Sequence, residues 1–444
     1  MGALKYTTII KDPIHGYIRL YEHEKCLIDT APFQRLRRIS QLPTSQYVYP
    51  SANHTRFSHS LGVMYVSGVF AENLYSDEDE VESSERSRLL VVARLIGLLH
   101  DIGHGPFSHT FEDHVLIPRG LNHEVMGGKI VREHPEIVRC FEKCIEKEFN
   151  VSVEHVSKAI ESPVLETWPF RSKVGNVSEV PLYYVIKGPY SADIIDYLLR
   201  DSYFTGANYG LGLDWTRLAY HSKIVGDSLV LEYKARDVLD HLLLARLYMF
   251  KTVYYHKTSR AFDKVLGTIL QKTEQVLRIP EALEQPELYT ELDDSYVLAN
   301  PDIRKLEEAR YVLNRIIPYK LVYEIIQPLE KVSSTLIKIG RSLIEGIIKE
   351  EFSKLAGALD DEAVFVDSPR LPTNPMFEEA EISILKPDGS ITKTPIRETV
   401  AGIMPHEVNF FRVYLHRKHI DYLDRLRTRV TALFGSADEL RPFY

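Results

Sequence analysis

Apolar positions in this chain mostly recur with a helical period, and extended runs are expected at its start, around Gly226-Asp227 and after residue 363. The strongest signal is Leu89 to Leu99, where Leu89, Leu90, Val91, Val92, Leu95, Ile96, Leu98 and Leu99 leave hardly any polar face. Such a helix belongs inside a helical core. Ser84 is its expected N-cap, and Gly103 with Gly105-Pro106 should end it. Val63–Tyr75 reads as a further helix, followed by a polar connector from Ser76 to Arg88. Helices are expected at about 123–148 and 151–161, and then at about 302–317 and 319–355. Residues 193–201 form a helix with one polar face, because Asp193, Tyr197, Arg200 and Asp201 recur at i, i+4, i+7 and i+8.

Residues 1–20 read as extended segments about the turn Asp12-Pro13-Ile14-His15-Gly16, and residues 215–300 as a hairpin at Gly226-Asp227 followed by helices. Asp29 or Thr30 can cap a short basic helix holding Arg35, Arg37 and Arg38, either a solvated face or an anion site. After residue 363 the pattern changes. Ala363–Asp367 reads as a strand, Glu381–Leu385 and Ser390–Thr392 as a hairpin about Pro387-Asp388-Gly389, and Arg412–Leu433 as a basic segment and helix. The expected fold is mainly α: a helical metallohydrolase core over 1–300 and a smaller α+β lobe over 301–444.

With 444 residues, 44% of them hydrophobic, the chain can bury a large core. The net charge of -8 argues against a dedicated nucleic-acid surface, although a local basic pocket for phosphates is compatible with it. Cys26, Cys140 and Cys144 make no disulfide framework and are expected as reduced thiols. Neither a signal peptide nor a membrane-length apolar run is seen, so a cytoplasmic protein is expected.

Histidine placement changes this picture most. Seven of the seventeen histidines fall between His54 and His123. His100-Asp101 closes the apolar helix, and neighbouring helical residues about 100° apart can reach one ion. With His59 upstream they form three ligands for a divalent metal, which would remove the cost of a buried carboxylate. A fourth ligand, a carboxylate, is then wanted, and the 193–201 helix offers one. Taken alone, that polar face reads first as a salt-bridged surface helix, in which Asp196 and Arg200 stand in the favourable i, i+4 order, and only the missing ligand turns the reading toward the metal.

The combination of Asp12-Pro13-Ile14-His15-Gly16, Phe33-Gln34-Arg35-Leu36-Arg37, Arg56-Phe57-Ser58-His59-Ser60-Leu61-Gly62, His100-Asp101-Ile102-Gly103-His104-Gly105-Pro106-Phe107-Ser108-His109 and Asp196-Tyr197-Leu198-Leu199-Arg200-Asp201 resembles the HD superfamily of metal-dependent phosphohydrolases. Within it the likeness is greatest to the deoxynucleoside triphosphate (dNTP) triphosphohydrolases, including members with a SAM domain, which this sequence lacks. The resemblance implies hydrolysis of dNTPs to deoxynucleoside and inorganic triphosphate. It implies His59, His100, Asp101 and Asp193 as ligands of a divalent metal, with Fe, Mn, Zn, Ni and Mg not distinguished. Arg56 and His109 would face the α-phosphate, while His104, Glu112 and His123 would form an acid/base network. Gln41 and Leu42 would meet the sugar edge, and Tyr197 and Asp201 would make further substrate contacts.

The resemblance also implies a homo-oligomer, tetramer or dimer, activated by GTP or a dNTP at Asp29, Gln34 and Arg37, with Arg217 and Arg236 toward the effector phosphates. Thr8 and Lys11 depart from the effector pattern. Ile194 stands where relatives have a phosphate-binding Lys, and the segment near Val253 lacks their Arg. Lys257, Arg260 and Lys264 are the candidates to replace them. Two rivals are weighed. One is an HD-type nucleotidase or phosphodiesterase, although the Gly-Tyr-Pro signature of cyclic-dinucleotide enzymes is absent. The other is a nucleotide-sensing or nucleic-acid-binding protein with a vestigial metal site.

Overall fold

The apolar run becomes the helix Ser83–Leu99, starting one residue before the expected cap, and it lies at the centre of the larger core. Val91, Val92, Leu95, Ile96, Leu98 and Leu99 are all fully buried. Burying each contributes about 1.5–3 kcal/mol. The helix packs along Arg56–Tyr75, which in turn meets Ala192–Thr205. These three helices carry the expected metal ligands near their ends. The computed structural model describes residues 4, 6–76, 81–175, 177–328, 341–358, 360–372, 381–395 and 407–435.

Tyr6–Asp12 and Gly16–Tyr21 form the expected hairpin, turning where Gly16 adopts a positive φ of 75°. Ser222–Val225 and Ser228–Glu232 form the second, and Glu381–Leu385 with Ile391–Pro395 the third. The third hairpin joins the second through a parallel pairing of 383–385 with 230–232, making one mixed four-stranded sheet.

Several helical expectations are corrected. Residues 319–328 are a strand, paired antiparallel with Glu407–His416, and only Arg341–Ala356 is helical; part of the expected helix lies outside the described residues. Its Tyr-Lys-Leu-Val-Tyr-Glu-Ile-Ile run is rich in β-formers, and pairing with a distant strand decides its state. The basic segment after 412 likewise continues a strand, with the helix confined to Leu423–Phe434. The 302–317 helix contracts to Glu307–Leu313 behind a short 3₁₀ turn. Pro135 divides the 123–148 helix, ending His123–Glu133 and occupying the first position of Pro135–Cys144.

The cysteines also differ from expectation. Cys26 is bonded to Cys140 across 114 residues, tying Glu22–Ile28 to Pro135–Cys144, while Cys144 is free. The second apolar cluster, including Val322, Ile348, Phe352, Val366, Val413, Leu426 and Val430, lies wholly after residue 301. It is the basis for proposing a C-terminal lobe there, one whose 381–385 strand reaches back into the first region.

Candidate metal centre and phosphate site

The candidate metal-binding pair His100-Asp101 owes its position to the helix end. His100 is the C-cap of Ser83–Leu99, and its Nδ1 lies 2.8 Å from the Gly97 carbonyl, which directs Nε2 into the site. That Nε2 is buried and has no hydrogen-bond partner. His59, on the first turn of Arg56–Tyr75, points its Nε2 to within 3.0 Å of Asp193 Oδ1 and 3.6 Å of Asp101 Oδ2. His100 Nε2 lies 3.3 Å from Asp101 Oδ1 and 3.8 Å from Asp193 Oδ1.

These separations test the site against a metal. Ligands at about 2.1 Å from one ion stand about 3.0 Å apart in octahedral and about 3.4 Å apart in tetrahedral geometry. His59, His100 and Asp101 form one group able to hold an ion, with Asp193 at its edge; the observed separations of 3.0–3.8 Å begin at that spacing and run slightly beyond it. Charge points the same way. Burial disfavours a charged His59 ring, yet hydrogen bonds to Asp193 and Asp196 and the Asp101 charge push it up to about 10. The protein alone therefore holds a proton where a divalent ion would supply the positive charge.

Behind the ligands is a network that explains the first hairpin. Asp196 Oδ2 accepts from His59 Nδ1 at 2.8 Å, and Asp196 Oδ1 lies 2.6 Å from His15 Nε2. Arg200 donates to both Asp196 oxygens and bridges to Asp12 Oδ2 at 2.9 Å. Asp12 in turn accepts the backbone N–H groups of Ile14 and His15. Partners of this kind orient a ligand and tune its basicity. Gly62 is needed here, since a Cβ would meet Asp196 Oδ1 at 1.8 Å. The surface-helix reading of 193–201 is overturned: Asp196, Arg200 and Asp201 are all buried.

Arg56 and Asp101 are built as a unit. Arg56 donates Nη1 to Asp101 Oδ2 at 2.5 Å and Nε to Ser108 Oγ at 2.7 Å. Burial would raise the Asp101 carboxyl, but Arg56, His100 and His104 hold it well below the usual carboxylate range. The Ser108 hydroxyl donates in turn to the Ser40 carbonyl, and Ser108 sits at φ 55°, ψ -120°, strained backbone beside the histidine-bearing turn.

The turn beyond Asp101 brings in the other histidines. Arg35, fully buried, donates to the Ile102 and His104 carbonyls, and the Tyr289 hydroxyl donates to that of Gly103. Arg35 is thus a structural clamp, whereas Arg37 and Arg38 stay exposed. A Cβ on Gly103 would lie 2.0 Å from the His123 carbonyl, so the 123–133 helix can approach only a glycine. That approach stacks His123 on His104 at 3.9 Å. Glu112 bridges the rest: Oε1 lies 2.6 Å from His123 Nδ1 and Oε2 lies 2.9 Å from His109 Nδ1. Burial opposes its charge, yet the two histidines hold Glu112 far below the usual range, and Glu112 in turn raises His123. Burial pushes His104 down, and Arg56 and His123 add to it.

The candidate ligands, Arg56 and the three histidines of the network open on one cavity of about 720 Å³. Of the other expected residues, Gln41 and Tyr197 line it, and Gln41 Oε1 is buried without a partner. Leu42 and Asp201 are not among its lining; Asp201 instead binds His54 Nε2 at 2.7 Å and the Tyr254 hydroxyl at 2.7 Å. Lys257, Arg260 and Lys264 do not line it either. Arg260 is paired with Asp367 at 2.8 Å, and Lys264 borders a separate 440 Å³ cavity. The lining cations besides Arg56 are Lys187 and Arg246, neither singled out from the sequence. Arg246 had only an apolar helical context to signal it.

Asp29, Gln34 and Arg37 cluster on the surface near the first helices, where Arg37 Nε donates to Gln34 Oε1 at 2.8 Å. Arg217 and Arg236 lie on Trp215–Tyr220 and Arg236–Met249. Among the described residues, no helix is long and apolar enough to cross a membrane.

Residues 56–163 match the HD domain, and residues 213–397 match the HD associated region. A Dictyostelium discoideum protein named deoxynucleoside triphosphate triphosphohydrolase SAMHD1 homolog is 29% identical over 382 residues, covering 81% of this chain and 70% of that protein. The human deoxynucleoside triphosphate triphosphohydrolase SAMHD1 is 30% identical over 375 residues, covering 77% of this chain and 58% of its own length. The crystal structure of a hypothetical protein from Aquifex aeolicus superposes with a TM-score of 0.70, covering 95% of this chain and 99% of that one. At 24% identity it speaks for the fold alone.

Proposed function

Because the chain belongs to the HD-domain family, we propose that it is a metal-dependent phosphohydrolase that cleaves dNTPs to deoxynucleoside and inorganic triphosphate. The observation that carries this reading is the meeting of the His59, His100, Asp101 and Asp193 cluster with Arg56 and the His109-Glu112-His123 network in one cavity. A divalent cation held by the four ligands would supply Lewis acidity, lowering the pKa of a water and drawing charge from a phosphoryl oxygen. Arg56, braced by Asp101 and Ser108, presents a fixed positive charge to the α-phosphate oxygens. His109 has Nδ1 committed to Glu112, which leaves Nε2 to hold a proton for the departing 5′-oxygen. Glu112 orients both His109 and His123, and Gln41 offers its unpaired amide oxygen to the sugar edge.

In this reaction water adds to the α-phosphorus, the bond from that phosphorus to the 5′-oxygen breaks, and the oxygen leaves with a proton. Hydrolysis in ¹⁸O-water checks the reading. All label should appear in triphosphate and none in the deoxynucleoside; label in the nucleoside hydroxyl, or formation of dNMP and pyrophosphate, would overturn it.

We infer as well a cytoplasmic homo-oligomer, tetramer or dimer, whose turnover is raised by GTP or a dNTP at a surface combining Asp29, Gln34 and Arg37 of one copy with Arg217 and Arg236 of another. The support is that Asp29 and Arg37 are exposed, while Arg217 and Arg236 lie half-buried on two separate helices. Mass photometry and rate measurements should both rise with GTP. Equal mass and equal rate with and without nucleotide would remove this regulatory reading.

A further inference from the structure

Among the described residues, Phe107 and Ser108 are the one consecutive pair of non-glycine residues with positive φ, at 61° and 55°. L side chains rarely adopt that region, so such a turn persists only where its surroundings over-determine it. Packing is one part of the hold, since Phe107 is buried in the larger apolar core. The turn matters for what it carries. The Ser108 hydroxyl braces Arg56, and His109 follows directly. The His109 side chain is 67% exposed, so its place rests on Glu112, an edge contact with the His104 ring and this backbone.

The other part of the hold is a carboxylate from far along the chain. Asp294 Oδ1 accepts the Phe107 N–H at 2.7 Å, and Asp294 Oδ2 accepts the Ser40 N–H at 3.0 Å. Ser40 is itself an anchor of the cavity. It pairs with Thr55 in an isolated antiparallel bridge, the Gln41 N–H meets the His54 carbonyl at 3.1 Å, and the Arg56 N–H meets the Ile39 carbonyl at 3.0 Å. The Ser40 carbonyl accepts the Ser108 hydroxyl at 2.6 Å. Ser40 and the 107–108 turn are therefore tied twice, through Ser108 and through Asp294. Asp294 is fixed in its turn: it opens the helix Asp294–Ala299, whose N-cap Asp293 accepts the Tyr296 N–H at 2.8 Å and pairs with Arg38. The metal ligands are held by other bonds, His59 by Asp196 and His100 by the Gly97 carbonyl.

We propose that Asp294 is a positioning residue for the cleavage step: by accepting the Phe107 and Ser40 N–H groups together, it fixes the turn that carries His109 against the segment that carries Gln41. It acts from the HD associated region without lining the cavity. This rests on the phosphohydrolase reading, with one measurement that does not need turnover.

The test uses the full chain loaded with Mn²⁺. Asp294→Asn is isosteric, but its amide offers one oxygen where two N–H groups each need an acceptor. It should lower dNTP kcat by about 10- to 100-fold, the scale of a misplacement near 1 Å, with Mn²⁺ stoichiometry unchanged. Bis(4-nitrophenyl) phosphate releases a 4-nitrophenolate that needs no proton from His109, so its kcat should fall by less than about threefold. A general loss of structure would lower both alike. Asp294→Glu keeps both oxygens on a longer stem; it should fall between the parent and Asp294→Asn, and it gives the same readings if the amide variant does not fold. Parent-like dNTP kcat in folded Asp294→Asn, or equal losses for the two substrates, overturns the proposal. If the parent hydrolyses no dNTP, the substrate reading fails on its own and amide hydrogen exchange decides the assignment. Exchange in Asp294→Asn should quicken about tenfold in residues 38–42 and 105–112 and stay parent-like in 192–205. Unchanged exchange in those two segments, or an equal rise in all three, removes Asp294 as their tie.

Discussion

His100→Ala should yield a folded protein that retains no stoichiometric divalent ion and hydrolyses its substrate at about a thousandth of the parent rate or less, roughly 4 kcal/mol of barrier. His100 contributes a buried Nε2 without a hydrogen-bond partner to the cluster, so the substitution removes a candidate ligand together with the Nδ1 contact to Gly97 and the edge contact with the His59 ring. Its stability cost should stay near the 1–2 kcal/mol of an ordinary substitution. Asp101→Ala should abolish metal and turnover equally but cost more stability. It leaves Arg56, 3% exposed, without its carboxylate, and an uncompensated buried charge costs about 3–5 kcal/mol. Asp196→Asn separates support from ligation: metal affinity should fall about 10–100-fold while a metal-saturated sample keeps much of its rate. Elemental analysis, urea unfolding and kinetics check all three. Normal metal content in His100→Ala would end the assignment of this cluster as the metal centre.

Glu112→Gln should lower kcat by about 10²–10⁴-fold with metal content unchanged, the range expected for loss of a positioned acid/base network. The neutral amide cannot hold His109 and His123 as Glu112 does through both oxygens. The same substitution has a signature in stability against pH. Burial works against the Glu112 charge, but its two histidine partners depress its pKa, so its contribution is present above the ordinary 4.5 and fades as pH falls below it. His123 is raised against the opposing effect of burial, so its contribution is complete below the ordinary 6.5 and is lost as pH climbs through its folded value. The pair therefore stabilises most between about pH 4.5 and 6.5. Glu112→Gln should flatten that maximum in thermal unfolding scans. An unaltered pH profile together with an unaltered kcat would remove Glu112 from the machinery.

Local chemistry was enough to read much of this protein. Gly16 and Pro13 dictate the first turn, and the all-apolar face of Leu89–Leu99 demands a buried helix whose end carries His100-Asp101. Those features rest on residues within a few positions of one another, where periodicity, capping and turn preferences act. The tertiary structure alone decided matters that join distant segments. Residues 319–328 become a strand because 407–416 lies alongside, and Cys26 meets Cys140 because two helices pack. Asp12 supports His59 only through Arg200 and Asp196. Arg246 lines the cavity because its helix packs against 192–205, a placement that no local pattern signals. Hydrophobic period reports which face of a helix is buried, but not which neighbour covers it; that depends on the packing of the whole core.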